Sequence, residues 1–200
     1  MKKNAFILLL LTIPLISIAQ KVDYPFNKST TPISDGEIVY TEIDTINNQP
    51  KSKIFDSIVT WIALNFQDSK EVIQMKEKES GKIILKGTFR DNFKFKTLGR
   101  ETAYPYFLSY TLDFTIKDNK YRAVFKDFRI DIEGGQGWPL IQLYNRIPDN
   151  YDYNELSSSK RNEIYRTKQF LYNTDSFVKA TVDAIKVSVS KDLTAGTDEF

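Results

Sequence analysis

The sequence predicts an α+β protein in which five antiparallel strands form one sheet and two helices pack on one face of it. Three observations predict this class. Apolar residues alternate strictly in the middle of the chain, as in a strand with one buried face. Apolar residues recur at helical spacing near 52–66 and again over 159–189. The predicted order of elements is therefore β-α-β-β-β-β-α.

The first 19 residues predict a cleavable export signal. Lys2 and Lys3 precede an apolar run over 5–18, and small residues end at Ala19. The run is shorter than the roughly 20 apolar residues that cross a bilayer. No cysteine follows it for lipid attachment. We expect cleavage before Gln20 and a periplasmic or secreted protein that is neither a lipoprotein nor anchored in the membrane.

The charge balance argues against a nucleic-acid binder. The chain carries 28 Lys plus Arg against 26 Asp plus Glu, and loss of Lys2 and Lys3 with the signal makes the counts equal. Nucleic-acid binders draw most of their non-specific affinity from a basic surplus. A neutral mature chain therefore predicts no nucleic-acid partner, although a local basic patch on one face stays open.

The chain contains neither histidine nor cysteine. Disulfides, thiolate nucleophiles and Ser-His-Asp triads are therefore excluded. Structural zinc is disfavoured because its sites use Cys or His, whereas a calcium site made of oxygens stays open. We predict no cofactor, no metal and no catalytic residue.

The N-terminal part of the chain predicts an arm, a strand and a helix. Residues 20–35 mix proline with polar residues and predict a linker or extended arm before a single domain over 36–191. Residues 37–45 alternate as a strand does. Ser52 is predicted to cap a helix that ends near Phe66.

A hairpin and a long central strand follow. Residues 71–78 and 82–91 predict two paired strands, with Gly81 in the turn at positive φ. The next strand has one apolar face, formed by Tyr104, Tyr106, Leu108, Tyr110, Leu112, Phe114 and Ile116. Its opposite face is polar and is expected to meet solvent.

The last strand of the sheet is predicted over 120–133, after a tight turn at Asp118 and Asn119. Its apolar residues change from odd to even positions midway. One extra residue at Lys126 and Asp127 would restore a single inward face, which predicts a β-bulge there.

The C-terminal part predicts a long loop, a long helix and a tail. Residues 134–158 are irregular and rich in Gly, Tyr, Asn and Pro, as in a loop or flap. Residues 159–189 carry an apolar stripe that predicts a helix. Residues 192–200 are expected to fray.

Residues 36–132 resemble a family of exported bacterial proteins of unknown function that has a TATA-binding-protein-like (TBP-like) fold. The segments that carry the resemblance are 36–40, 52–53 ahead of Phe55, 61–63, 69–73, 81–83 with 86–87, and 120–122. The resemblance implies an antiparallel sheet with helices on its back and a location in the Gram-negative envelope. It implies no activity, and a shared topology does not transfer DNA binding. Residues 134–160 lie outside it.

Three aromatic residues are candidates for ligand binding. Tyr106 and Tyr110 belong either to an ordinary core face, which is the simpler interpretation, or to a pocket between the sheet and the last helix. Trp138 follows the glycine-rich stretch and caps the edge of the core or, as the alternative, covers a ligand as part of a flap.

Three carboxylates, Asp127, Asp131 and Glu133, have the residue type needed for acid-base chemistry or calcium binding, although a solvated face explains them more simply. The leading hypothesis is therefore an exported, non-enzymatic binding or interaction module of the bacterial envelope, with an envelope protein or a small ligand as partner. One alternative is a carrier of small apolar or aromatic ligands. Another is a carboxylate-dependent hydrolase of envelope polysaccharide.

Overall fold

The structure is a computed structural model that describes residues 26–66, 68–97, 100–132, 137–152 and 154–195. The export signal over 1–19 and its cleavage site lie outside these residues, so both stay predictions.

One large antiparallel sheet forms the centre of the protein. Its strands are β3 (Tyr40–Thr45), β4 (Ile73–Glu77), β5 (Lys82–Thr97), β6 (Arg100–Lys117), β7 (Lys120–Ile132) and β8 (Trp138–Pro139). Their spatial order is β3-β7-β6-β5-β4, and β8 pairs with β7 beyond the end of β3. The five predicted strands are present, and β8 is a sixth that was not predicted. The α+β class is confirmed.

Two long helices, α1 (Lys51–Asn65) and α4 (Ser158–Ala195), pack on one face of this sheet. The Trp61 ring of α1 lies 6.4 Å from the ring of Phe114, and the Phe170 ring of α4 lies 4.8 Å from that of Tyr106. The even positions of β6 from 106 to 116 are buried under these helices. Across the described ranges, no helix combines the length and apolar character needed to span a bilayer.

The start of α1 differs from the prediction. Ser52 was predicted to cap the helix, but the N-cap is Pro50, which offers no side-chain hydrogen bond. The β6–β7 turn replaces the cap, because the backbone N–H of Lys51 donates to the Asp118 carboxylate at 2.7 Å. A tertiary contact therefore satisfies a donor that local sequence does not.

The predicted β-bulge in β7 is confirmed. Thr111 pairs with Lys126 and Ser109 with Arg129, so the single residue Tyr110 lies opposite two residues of β7. Asp127, the first of these two, has φ 57°. The extra residue turns the rest of β7 so that its apolar side chains return to the face under the helices.

The hairpin between β4 and β5 also follows the prediction at its turn, because Gly81 has φ +69°. A Cβ atom at this position would lie 2.2 Å from the Ile116 carbonyl oxygen, so glycine is required for space as well as for φ. A short helix that was not predicted, α2 (Ser69–Val72), precedes β4.

The described part of the predicted linker, 26–35, is built into the domain, so the linker prediction is wrong there. It contains a turn of 3-10 helix, Lys28–Thr30, and the strand β1 (Ile33–Ser34), which pairs with β2 (Glu37–Ile38). The Lys28 ammonium group donates to the Ile147 carbonyl at 2.7 Å. This contact joins the arm to the C-terminal half of the chain.

The loop prediction for 134–158 is wrong over 138–145. These residues form β8 and the helix α3 (Leu140–Asn145), and Leu140, Leu143 and Ile147 are buried. Helix α4 extends to residue 195 and includes the first part of the tail predicted over 192–200. Residues 133–136, 153 and 196–200 lie outside the described residues.

One buried side chain of α4 completes the sheet at its edge. The Gln169 amide accepts from the Lys94 N–H and donates to the Lys94 carbonyl, both at 2.8 Å. Strand β4 pairs with β5 only as far as Leu85, so the backbone of Lys94 has no neighbouring strand on that side. The glutamine side chain satisfies both backbone groups in place of a strand.

Candidate functional site

Tyr106 lies in the core. Its side chain is fully buried, and its hydroxyl donates to the Asp91 carboxylate at 3.2 Å. The Asn173 side-chain amide of α4 donates to the same carboxylate at 2.7 Å. The cluster satisfies the polar end of the tyrosine under α4, so the residue links the sheet to the helix.

Tyr110 is also packed under α4. Its ring centroid lies 5.0 Å from that of Phe177 and 6.1 Å from that of Phe125, and its phenol lies against Gly87 on β5. Burial raises the pKa of Tyr110 to about 12. The two tyrosines therefore fill the space in which the carrier hypothesis requires a pocket.

Trp138 lies at the edge of the sheet. It pairs with Ile130 of β7, its side chain is 43% exposed, and the Arg146 guanidinium lies 5.0 Å from the ring centroid. The structure thus places Trp138 at the surface and the two tyrosines in the core. It does not bring the three predicted ligand residues onto one open surface.

The predicted carboxylates do not favour the hydrolase. Asp127 is exposed on the bulge, whereas Asp131 packs so closely on Gly137 that a Cβ atom there would lie 2.4 Å from its Oδ1. Four residues of extended strand place the two Cα atoms roughly 13 Å apart. Glycosidase carboxyl groups lie about 5–9.5 Å apart. Glu133 lies outside the described residues, among which no cluster of three metal-ligating side chains occurs.

The sheet face opposite α1 and α4, which we call the cationic face, was missed by sequence reasoning. Side chains alternate between the two faces of a strand, so the pairing register assigns each residue to one face. The described residues assigned to this face include nine cations, Lys82, Lys86, Arg90, Lys94, Lys117, Lys120, Arg122, Lys126 and Arg129. The acids are four, Glu77, Glu101, Asp113 and Asp131. A basic surplus is therefore concentrated on one side of a nearly neutral chain.

Eight of these cations form two rows with a trough between them, and the ninth, Lys117, lies on β6 at the end of the trough. One row runs along β5 and the other along β7, while β6 between them presents Phe107, Ser109, Thr111 and Thr115. Neighbouring strands lie about 4.8 Å apart, so the rows are separated by roughly 10 Å. Long cationic side chains thus border a floor of mostly small polar residues.

Asp113 partly neutralises the middle of the trough. Its carboxylate forms ion pairs with Lys82 and, at 3.4 Å, with Lys126. These contacts explain why Asp113 is only 9% exposed, although its face was predicted to meet solvent. Lys94 at the other end of the β5 row pairs with Glu101 at 3.1 Å, so among the described side chains the cations without an ion pair on β5 are Lys86 and Arg90 in the middle of the row.

A cavity of about 190 Å³ lies at the end of the cationic face, next to the β6–β7 turn. We call it the hairpin cavity, and the residues that line it are Ile43, Thr115, Lys117, Lys120, Tyr121 and Arg122. Lys117 and Lys120 are direct cross-strand partners, and Arg122 pairs with Thr115. Within the described ranges, none of the three cations forms an ion pair.

The antiparallel sheet and the two helices on its back agree with the class of α+β proteins with a TBP-like fold. In particular, residues 40–131 match the model of the family described as "Domain of unknown function (DUF4468) with TBP-like fold". The match confirms the resemblance seen in the sequence. No curated protein matches the chain.

Two solved structures are similar to this chain. A DUF4468 family protein from Bacteroides ovatus has a TM-score of 0.61 and 16% identity, over 80% of this chain and 90% of that one. A TBP-like protein from Parabacteroides distasonis has a TM-score of 0.48 and 17% identity, over 78% of this chain and 97% of that one. The first likeness supports the fold and carries no information about activity.

Proposed function

We propose that this protein is an exported, non-enzymatic binding module of the bacterial envelope, and that it binds acidic partners on the cationic face. The observation that carries the proposal is the excess of nine cations over four acids on this face, in a chain whose formal net charge is only +2. Lys86, Arg90 and Arg122 are all exposed there.

A concentrated charge of one sign is better explained by a partner than by stability. Like charges within a row and in the facing row repel each other, so the cations without an acidic partner do not stabilise the isolated protein. The same charges create a positive potential that attracts and orients an acidic ligand. The trough between the two rows gives such a ligand a defined path along β6.

The chemistry of the chain supports binding rather than turnover. Histidine, the commonest general acid and base, and cysteine, a common nucleophile, do not occur in the sequence. Asp127 and Asp131 are separated along an extended strand, as described above. We therefore assign the cationic face no catalytic step.

The proposal is tested by titrating the mature protein, residues 20–200, with heparin, an acidic single-chain polysaccharide, and with neutral dextran. We expect heparin to bind with an affinity that falls as salt is raised, and dextran not to bind. The variant Lys86→Glu/Arg90→Glu should weaken heparin binding by at least about tenfold, measured by calorimetry.

The matched control is Lys53→Glu/Lys70→Glu, which makes the same change of charge at exposed positions on α1 and α2. We expect it to change heparin affinity by less than about threefold. Equal losses in the two variants would mean that overall charge, and not the cationic face, determines binding. A single-stranded oligonucleotide that binds more tightly than heparin would contradict the expectation of no nucleic-acid partner.

A further inference from the structure

We propose that the hairpin cavity is a binding subsite for a single oxyanion group, namely a phosphate, a sulfate or a carboxylate. The inference rests on the proposed function, because the cavity lies on the cationic face and would hold one charged group of the acidic partner.

The pairing register forces three cations together at this cavity. Lys117 and Lys120 flank a two-residue turn and lie directly opposite each other, and Arg122 is the next β7 residue on the same face. Like charges placed directly opposite each other destabilise a sheet. The adjacent Asp118 carboxylate is held at the start of α1, where it accepts the N–H of Lys51, and among the described residues it forms no ion pair with Lys117 or Lys120. An anion bound in the cavity would supply the missing negative charge.

The cavity is held in place before any ligand arrives. The β6–β7 turn is bonded to the segment between β3 and α1, since the Asn119 N–H donates to the Gln49 carbonyl at 2.9 Å. The Asn119 carbonyl accepts from the Ile46 N–H at 2.7 Å, and its side-chain oxygen accepts from the Gln49 N–H at 3.0 Å. A rigid backbone lowers the entropic cost of binding.

The donors of the cavity suit an oxyanion. The Arg122 guanidinium offers a planar pair of N–H groups, which match two oxygens of a phosphate, a sulfate or a carboxylate. The Thr115 hydroxyl and the two ammonium groups add donors of lower directionality. The volume of about 190 Å³ equals roughly six water molecules at about 30 Å³ each, enough for one such group and a small substituent.

The rim of the cavity indicates where the rest of the ligand lies. Ile43 on β3 is 61% exposed and stands opposite Arg122 across the strand pair. An apolar surface beside a cationic group suits the carbon skeleton that carries the oxyanion. The trough between the rows begins at Thr115, so a longer acidic ligand extends from the cavity along β6.

The test uses inorganic phosphate as the probe, with sulfate and acetate as parallel arms, titrated into the mature protein at constant ionic strength. We expect Arg122→Gln to weaken phosphate binding by about tenfold, because one charge-assisted contact is lost. The matched control Lys53→Gln removes one charge at an exposed position on α1, away from the cationic face, and should change the affinity by less than about twofold. Thermal unfolding of both variants checks that each remains folded.

The outcomes separate this inference from the proposed function. Heparin binding without phosphate, sulfate or acetate binding would overturn the subsite and leave the cationic face as the binding surface. Equal weakening by Arg122→Gln and Lys53→Gln would also overturn it, because the anion would then respond to the net charge of the protein. Phosphate binding that depends on Arg122, with no heparin binding, would support the subsite and overturn the role of the wider face. The order of affinity among the three anions identifies the group that the cavity prefers.

Discussion

At the scale of single residues, the contact between Gly87 and Tyr110 shows how the core constrains the sequence. The two residues are cross-strand partners on β5 and β6, and the phenol ring lies over the glycine. A Cβ atom at position 87 would lie 2.4 Å from the Tyr110 hydroxyl oxygen and from a ring carbon. Because Phe125 and Phe177 hold the ring, it cannot move aside without disturbing the packing of α4.

We therefore expect Gly87→Ala to lower the free energy of unfolding by about 1–3 kcal/mol, the usual cost of overpacking a core. Urea unfolding followed by circular dichroism measures the change. The control is Thr88→Ala, the next residue, which is exposed on the opposite face and should change the value by less than about 0.5 kcal/mol. A Gly87→Ala protein as stable as the parent would show that the ring is free to move.

At the scale of elements, the bulge decides which side of β7 faces the helices. Before it, Phe125 is fully buried, and after it Phe128 and Ile130 are buried as well. If the same residues paired without a bulge, regular alternation would turn these last two side chains towards the cationic face. The bulge is thus a condition for closing the core at this end of the sheet.

Deletion of Arg129, which lies beyond the bulge, should accordingly abolish the cooperative unfolding transition or shift it to much lower urea. With the bulge retained, the deletion exchanges the faces of residues 130 to 132, and if the bulge is lost instead, Phe128 turns towards the cationic face. Circular dichroism against urea measures the effect. Asp127→Gly keeps the bulge and relieves the positive φ of 57°, so we expect equal stability or a gain of up to about 1 kcal/mol. A deletion variant that unfolds like the parent would contradict the importance of the register.

These elements also show what the sequence allows one to predict. The buried face of β6 was predictable because strict alternation is typical of a strand with one covered side, and the bulge because a single change of phase indicates one inserted residue. The N-cap of α1 was not predictable, because the backbone N–H of Lys51 donates to Asp118, which lies 67 positions away in the sequence. Helix α3 has only six residues and no capping side chain, so its local signal is weak.

The cationic face was missed for a different reason. Lys82, Lys86, Arg90 and Lys94 recur at intervals of four on β5, which is visible in the sequence. Only the pairing register shows that these cations lie on the same face of the sheet as Arg122, Lys126 and Arg129 on β7. Net charge conceals such a face, because it sums over both sides of the molecule.

At the scale of the whole molecule, contacts between the arm, α3 and the sheet predict a single cooperative unit. Lys28 joins the arm to the segment after α3. Directly before α3, strand β8 pairs with β7 and so attaches the helix to the sheet. Phe26 of the arm, which is partly buried, and the buried residues Leu140, Leu143 and Ile147 pack in the same core as the buried residues of α1 and α4. We therefore expect the described chain to unfold as one domain.

The two tryptophans report on the two regions. Trp138→Phe leaves Trp61, which is 3% exposed in α1, and Trp61→Phe leaves Trp138 in β8. In each variant the urea midpoint from fluorescence should coincide with the urea midpoint from circular dichroism. Because both midpoints are measured on the same protein, a loss of stability caused by the substitution shifts both equally. An earlier fluorescence midpoint for Trp138 alone would show that β8 and α3 unfold as a separate unit.

The Gln169 side chain has a consequence beyond the fold of one molecule. An uncovered strand border is a template on which another polypeptide can pair, and chains that do so assemble into insoluble fibres. The Gln169 side chain of α4 hydrogen-bonds to the backbone N–H and carbonyl of Lys94. It thereby covers the edge of β5 at a point beyond the end of β4. Further copies of the chain therefore cannot be recruited edge to edge at that point.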